Sequence, residues 1–165
     1  MDQKPILVLT TGGTIDKAYF DALSAYQIVD SGIPDLLREA RVTLPFRVVE
    51  LMRKDSLDLT DADRALVAAA AREAPESGVV VTHGTDTMTE TAAVLAAEVP
   101  GKTIVLTGAL SPARFAETDA PFNLGMAFAT AQVAAPGVYI AMSGQVFDGL
   151  KVRKDRAAGK FLASE

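Results

Sequence analysis

The sequence predicts an α/β fold: a single domain over residues 1–165, with a doubly wound, mostly parallel sheet and helices on both faces. Five short apolar segments alternate with segments of helical pattern, which is the order of βαβ units. The apolar segments run without polar interruption, as strands covered on both faces do. The chain has 165 residues, 49% of them hydrophobic, which suffices for one domain with a substantial core.

The first strand is predicted at residues 6–9, and it leads into a glycine-rich turn. Residues 16–30 show no clean period, so we predict a loop there that can act as a lid. A short helix over residues 31–40 has Pro34 near its first turn, where proline fits. The second strand is predicted at residues 46–52.

Thr60 is the predicted cap of the next helix, which is alanine-rich and ends before Pro75. The remaining predicted elements are strands at residues 78–82, 104–106 and 138–142, and helices at residues 85–97 and from Pro121 onward. Residues 147–149, Phe-Asp-Gly, predict the tip of a hairpin. The charged residues 151–156 predict a solvated segment.

Composition excludes several classes of function. A net charge of −5 speaks against a nucleic-acid surface, and the absence of cysteine excludes disulfides and thiolate metal sites. A single histidine speaks against a zinc site. No apolar run is long enough for a bilayer and residues 1–5 lack a signal-peptide pattern, so we predict a cytoplasmic protein with no membrane partner. Glycine-rich dinucleotide and P-loop patterns are absent, which speaks against a nucleotide-binding domain.

Polar residues that follow the predicted strands are the candidates for a site, because open α/β sheets bind ligands outside the carboxyl ends of their strands. The stretch 79–87 shows this pattern best, since three valines run into Thr-His-Gly-Thr-Asp-Thr. The candidates from the loops after strands one to four are Thr14, Ser56, Thr85, Asp86, Thr107 and Ala109.

Two of these candidates, and two further polar residues, Lys154 and His83, also have a purely structural interpretation. Thr14 can cap a turn, and Asp86 can stabilise the positive end of the following helix. Lys154 lies in a basic segment and can be an ordinary solvated side chain. His83 is predicted to be a packed, hydrogen-bonded residue at a strand end rather than a catalyst.

Four motifs, taken in order along the chain, resemble those of the bacterial type I and type II L-asparaginases. They are Thr11-Gly12-Gly13-Thr14-Ile15, His83-Gly84-Thr85-Asp86-Thr87-Met88, Thr107-Gly108-Ala109 and Asp119-Ala120-Pro121-Phe122-Asn123-Leu124. The resemblance runs over nearly the whole chain and covers only the N-terminal domain of those enzymes. It therefore implies a short-chain asparaginase that lacks their C-terminal domain.

The resemblance implies hydrolysis of L-asparagine to L-aspartate and ammonia, with some activity on glutamine and without cofactor or metal. Thr14 matches the family's nucleophilic threonine, while Thr85, Asp86 and Lys154 match its second catalytic triad. Ser56 matches a serine that binds the substrate's α-carboxylate, and Asp86 also matches the carboxylate that holds the α-amino group. The remaining substrate-binding candidates are Gly13, Asp55 and Ala109.

A lid tyrosine completes the set of catalytic candidates. Tyr19 lies five residues after Thr14, so it can fold back over the nucleophile in a short loop, and it is the predicted lid residue. Tyr26 fits the spacing of the longer relatives better and stays the alternative.

The chemistry requires help for the threonine, because its hydroxyl is a poor nucleophile alone. Desolvation or neighbouring charge can make a lysine amine a base, so Lys154 could pass a proton through Thr85. Asp86 would orient that amine and also favour its charged form, and the sequence leaves open which effect is larger. Backbone N–H groups around Gly13 and Thr85 are candidates for stabilising the oxyanion. Attack by Thr14 and direct attack by water both stay open.

In the family that the chain resembles, a neighbouring subunit completes the active site through its C-terminal domain. We therefore expect a homo-oligomer in which another copy of this chain fills that side. The alternative function is a non-catalytic amino-acid-binding or regulatory module of the same fold.

Overall fold

The computed structural model describes residues 4–165. Residues 1–3, which carry part of the signal-peptide prediction, lie outside the described residues. The strands are β1 (Ile6–Gly12), β2 (Lys17–Phe20), β3 (Ala25–Ile28), β4 (Phe46–Lys54), β5 (Gly78–Thr82), β6 (Thr103–Thr107), β7 (Gly137–Met142), β8 (Gln145–Asp148), β9 (Val152–Asp155) and β10 (Lys160–Ala163). The helices are α1 (Ile33–Glu39), α2 (Asp61–Glu73), α3 (Met88–Glu98) and α4 (Ala120–Val133).

Six strands form the central sheet, in the order β4-β1-β5-β6-β7-β8. The first five in this order are parallel to their neighbours, and β8 runs antiparallel to β7. The chain winds from β1 to β4 on one side and from β5 to β6 on the other, so the winding direction reverses between β1 and β5. Sheets of this kind bind their ligands at the carboxyl ends of the strands that flank such a reversal.

Alternate residues of the parallel strands point into two separate cores. Leu7 and Leu9 of β1 pack with α2 and α3 on one face of the sheet. Ile6 and Val8 pack with α1 and α4 on the other face. Every residue of β5 and β6 is buried, because both faces of these strands are covered. The predicted doubly wound, mostly parallel sheet is therefore confirmed.

The predicted loop over residues 16–30 is wrong. Here β2 and β3 pair as an antiparallel hairpin, with Tyr19 opposite Tyr26. Asp16 closes the base of this hairpin, because its backbone carbonyl accepts a hydrogen bond of 3.0 Å from the N–H of Val29. None of the residues in the two strands is buried, so the alternation of apolar and polar residues that indicates a half-buried strand is missing.

The predicted hairpin tip at residues 147–149 is also wrong. Ser143 and Gly144, both with positive φ, form the turn between β7 and β8. Phe147 lies within β8 and is buried in the core beside α3, so it belongs to a strand and not to a turn.

The predicted solvated segment at residues 151–156 contains β9, which pairs with β10 as a second hairpin. Val152 and Phe161 anchor this hairpin in the core on the side of α3. The charged residues between them dominate the sequence pattern, while burial of the two apolar residues fixes the hairpin in place.

Helix starts follow local hydrogen bonding. Thr60 caps α2 as predicted, and it forms a capping box because Thr60 and Asp63 each accept from the other's backbone N–H. Helix α3 begins at Met88, three residues later than predicted. Thr87 is held outside it by a hydrogen bond of 2.7 Å from its hydroxyl to the carbonyl of Ser56. Within residues 4–165, every helix is too short or too polar to span a lipid bilayer.

Candidate active site

Two glycines bring three strand-end turns into backbone contact. A Cβ on Gly13, whose φ is +83°, would lie 2.5 Å from the Cα of Gly84. A Cβ on Gly84 would lie 2.7 Å from the Cβ of Ser56. The turns after β1, β4 and β5 therefore converge only because these positions carry no side chain. Thr14 and Thr85 directly follow the two glycines, so both lie at the reversal point of the sheet.

Lys154 joins the third of these turns from the C-terminal hairpin. Its ammonium donates hydrogen bonds of 2.7 Å to the hydroxyl of Thr85 and 2.8 Å to Oδ1 of Asp86. Only 16% of the Lys154 side chain is exposed, against 30% for Asp86. Hydrogen bonds to ionised partners in such a partly buried place hold both groups in one geometry. The structure thus brings together the three residues of the sequence-predicted second triad.

Ser56 connects the turn after β4 with the start of the β5 turn. It is buried, and its Oγ accepts a hydrogen bond of 3.2 Å from the backbone N–H of Asp86. Because Oγ is the acceptor there, its own proton is available to a ligand. Ser56 and Asp86 are therefore held side by side, on the edge of the sheet where Thr14 opens a short 3-10 turn and is half-buried.

Asp55, the residue before Ser56, pairs with the first residue of the β2–β3 hairpin. Its Oδ2 lies 2.9 Å from the Nζ of Lys17, and its Oδ1 accepts from the backbone N–H of Leu57. Burial raises the pKa of Asp55, but the hydrogen bonds from Lys17 and Leu57 outweigh it, and the pKa lies below its ordinary value. Asp55 thus links the hairpin to the Ser56 turn, and its charge is already balanced by Lys17.

The turn after β6 contributes Ala109 to the same edge. The side chain of Ala109 is buried in the core against α4, so only its backbone groups remain for a ligand. Asp119 holds this turn by accepting hydrogen bonds of 3.0 Å from the N–H groups of Leu110 and Ser111. Asn123 donates to the carbonyl of Gly108, at 2.9 Å. The fourth sequence motif therefore orders the loop that follows β6.

Tyr19 and Tyr26 lie opposite each other on the hairpin, with ring centroids 5.2 Å apart. The two residues are exposed to 49% and 55%, respectively. The ring of Phe115 lies 5.9 Å from that of Tyr26 and extends the exposed aromatic surface. The structure places both candidate lid residues on one short ribbon, and the choice between them stays a prediction.

His83 is the packed strand-end residue that the sequence predicts. It is fully buried, with Nδ1 2.6 Å from the carbonyl of Gly84 and Nε2 2.7 Å from the hydroxyl of Thr91. A carbonyl only accepts, so Nδ1 carries the proton and Nε2 accepts from Thr91. Burial lowers the pKa of His83 from 6.5 to about 4, so the ring is neutral at pH 7.

Arg156 is a site residue that sequence reasoning missed. Its Nε lies 3.3 Å from Oδ1 of Asp86, the oxygen that also binds Lys154. Arg156 follows Lys154 by two residues and is the first residue of the turn that joins β9 to β10. No local signal in the sequence marks this contact, because it depends on how the β9–β10 hairpin docks.

The family follows from the match of the sequence to a family model. The model described as Asparaginase, N-terminal, matches residues 5–160. The chain belongs to the asparaginase family. The resemblance carried by the four motifs is thereby confirmed.

Individual members of the asparaginase family show the extent of the likeness. The chain is 34% identical over 163 residues to the L-asparaginase of Thermococcus kodakarensis, and the match covers 93% of this chain and 48% of that protein. It is 32% identical over 172 residues to a glutamyl-tRNA(Gln) amidotransferase subunit of Methanococcus vannielii, covering 92% and 38%. The solved structure of the thermostable L-asparaginase from Thermococcus kodakarensis matches with a TM-score of 0.84 at 29% identity, covering 96% and 51%. The chain thus spans about half or less of the length of these relatives.

Proposed function

We propose that the chain is an amidohydrolase that converts L-asparagine and water to L-aspartate and ammonia. The observation that carries the proposal is the hydrogen-bonded set of Lys154, Thr85 and Asp86 at the reversal point of the sheet. A lysine amine hydrogen-bonded to a hydroxyl provides a path for a proton between a base and a reacting group. Membership of the asparaginase family supports the same reaction.

In the proposed reaction, the hydroxyl of Thr14 attacks the side-chain amide carbon. Its proton passes through Thr85 to the neutral amine of Lys154, which then gives it to the amide nitrogen, so that this nitrogen leaves as ammonia. Water then hydrolyses the ester and restores Thr14. The alternative is direct attack by water in the same position. Backbone N–H groups near Gly13 and Thr85 are the proposed donors to the oxyanion.

The substrate's zwitterionic end is proposed to bind between Ser56 and Asp86. The free proton of the Ser56 hydroxyl serves the α-carboxylate, and the carboxylate of Asp86 serves the α-ammonium. Their fixed contact of 3.2 Å between Oγ and the Asp86 N–H supports this pairing, because it sets the spacing of the two anchors. Gly13, Asp55 and Ala109, in the turns after β1, β4 and β6, are the further proposed substrate contacts.

Ammonia release from L-asparagine and L-glutamine tests the proposal. Thr14→Ala and Lys154→Met should each lower turnover, by about 10²–10⁴-fold for loss of the proton acceptor. Thr43→Ala and Lys151→Met are matched controls, because both residues are exposed and lie outside this set of contacts. Full activity in Thr14→Ala would refute the nucleophile, and full activity in Lys154→Met would refute the triad.

A second candidate is amide-group transfer by the chain as a component of an amidotransferase. The match to the glutamyl-tRNA(Gln) amidotransferase protein of Methanococcus vannielii favours it. A purified chain that binds L-asparagine in calorimetry yet releases no ammonia by itself would support this candidate, or the non-catalytic binding module, over the hydrolase. Ammonia release by the isolated chain would decide for the hydrolase.

A homo-oligomer is also part of the proposal. The exposed rings of Tyr19, Tyr26 and Phe115 support it, because clustered exposed aromatic residues are typical of contact surfaces. Sedimentation velocity of the active protein tests it, and an active monomer would refute it.

Tyr19→Phe and Tyr26→Phe, assayed separately, show which hydroxyl turnover requires; full turnover in both would refute the lid assignment. The cytoplasmic location stays a prediction.

A further inference from the structure

Arg156 places a second basic side chain on Asp86, beside Lys154. Asp86 receives both Lys154, at 2.8 Å, and Arg156, at 3.3 Å, on the same carboxylate oxygen. On the neighbouring turn, Lys17 forms an ion pair with Asp55, and the two charges balance each other. Within residues 4–165, Asp86 thus has two basic side chains on one carboxylate oxygen, whereas Asp55 has only Lys17.

The two cations on Asp86 differ in how firmly they are held. Lys154 is largely buried and also bonded to the hydroxyl of Thr85. Arg156 has 67% of its side chain exposed, and its contact with Asp86 is the single ion pair that it forms within the described residues. An exposed arginine can turn to solvent at small cost, while Lys154 cannot leave without breaking two bonds.

We propose that Arg156 is a specificity-determining residue that competes with the ligand's α-ammonium for Asp86. This inference rests on the proposed function, in which Asp86 anchors that ammonium. A ligand with an α-ammonium must either place its positive charge beside Arg156 or displace the Arg156 side chain from Asp86. A ligand that lacks the ammonium meets no such cost. Arg156 therefore weakens the preference of the site for amino acids over the corresponding simple acids.

Calorimetric titration with L-aspartate and succinate tests the competition. The two ligands differ by the α-amino group alone, and neither has an amide to be hydrolysed. In Arg156→Gln, the ratio of the Kd for succinate to the Kd for L-aspartate should rise about two- to fivefold above wild type, as expected from loss of an exposed ion pair. Arg156→Lys, which keeps the cation, should stay close to the wild-type ratio.

Arg153→Gln is the matched control, because Arg153 is exposed, lies on β9 next to Lys154 and loses the same charge. Its ratio should equal that of wild type. An unchanged or lower ratio in Arg156→Gln would overturn the inference, as would an equal rise in Arg153→Gln. Failure of L-aspartate to bind any variant would also overturn it. Ammonia release is measured separately, so a missing hydrolase activity together with a raised ratio would refute the proposed reaction and leave the role of Arg156 standing.

Discussion

Replacing Asp16 with asparagine removes a buried acid from the junction between the Thr14 turn and the β2–β3 hairpin. Asp16 is 1% exposed, and its Oδ1 accepts from the hydroxyl of Ser31, at 3.1 Å, and the N–H of Gly32, at 3.2 Å. Asparagine has nearly the same shape and keeps an oxygen that can accept both bonds. Asp16→Asn therefore changes the charge at this position with little change in packing.

Burial raises the pKa of Asp16 from 3.8 to about 6, although the hydrogen bonds from Ser31 and Gly32 and the charge of Arg114 act in the opposite direction. Between these two values the folded protein holds a proton that the unfolded chain has lost. The contribution of Asp16 to stability is therefore complete below pH 3.8 and is lost as the pH rises through 6. The difference between the folded and unfolded pKa values corresponds to about 3 kcal/mol.

We expect Asp16→Asn to match wild type near pH 4 and to exceed it by up to about 3 kcal/mol in free energy of unfolding at pH 7. Urea unfolding followed by circular dichroism at pH 4, 5, 6 and 7 measures the difference. Asp21→Asn, in the exposed turn of the same hairpin, is the control and should show no such trend. A difference that does not vary with pH, or a variant less stable than wild type at pH 7, would refute the reasoning.

Three further predictions concern other buried groups. His83 is the single histidine of the chain, so its imidazole NMR signals can be followed directly; we expect no titration between pH 5 and 8, and a midpoint near 6.5 would contradict its burial in neutral form. Phe161→Ala should lower the free energy of unfolding by about 3–5 kcal/mol. It should also reduce turnover, because Phe161 anchors the hairpin that carries Lys154. Leu150 is exposed, so Leu150→Ala should change neither stability nor turnover. Urea unfolding and ammonia release measure the two effects. Glu76→Gln should lower the free energy of unfolding by about 1–3 kcal/mol at pH 7, because buried Glu76 accepts two hydrogen bonds from Arg47, which hold its pKa below the ordinary value. The stability difference from wild type should shrink as the pH falls through that pKa. Acid unfolding measures it, and a difference that does not vary with pH would contradict the prediction.

The central sheet could be predicted because its strands are buried on both faces. Continuous runs of β-branched residues such as Val79-Val80-Val81 are typical of a strand covered on both faces, and β5 has the predicted bounds, residues 78–82. The start of α2 was equally readable, since the capping box of Thr60 and Asp63 is a local device. The β2–β3 hairpin was not, because its exposed strands lack the alternation that marks a strand.

Sequence by itself determined which residues follow the strands, and so which ones reach the ligand-binding edge. It could not decide how they meet. Lys154 contacts Thr85 across 69 positions of the chain, and that contact depends on the order of the strands and on the docking of a hairpin through Val152 and Phe161. The presence of Arg156 on Asp86 likewise depends on the hairpin. The patterns that predict strands and helix caps involve neighbouring residues, so they can be recognised in the sequence. Contacts between charged side chains far apart in the chain form only when burial of apolar surface fixes the backbone between them.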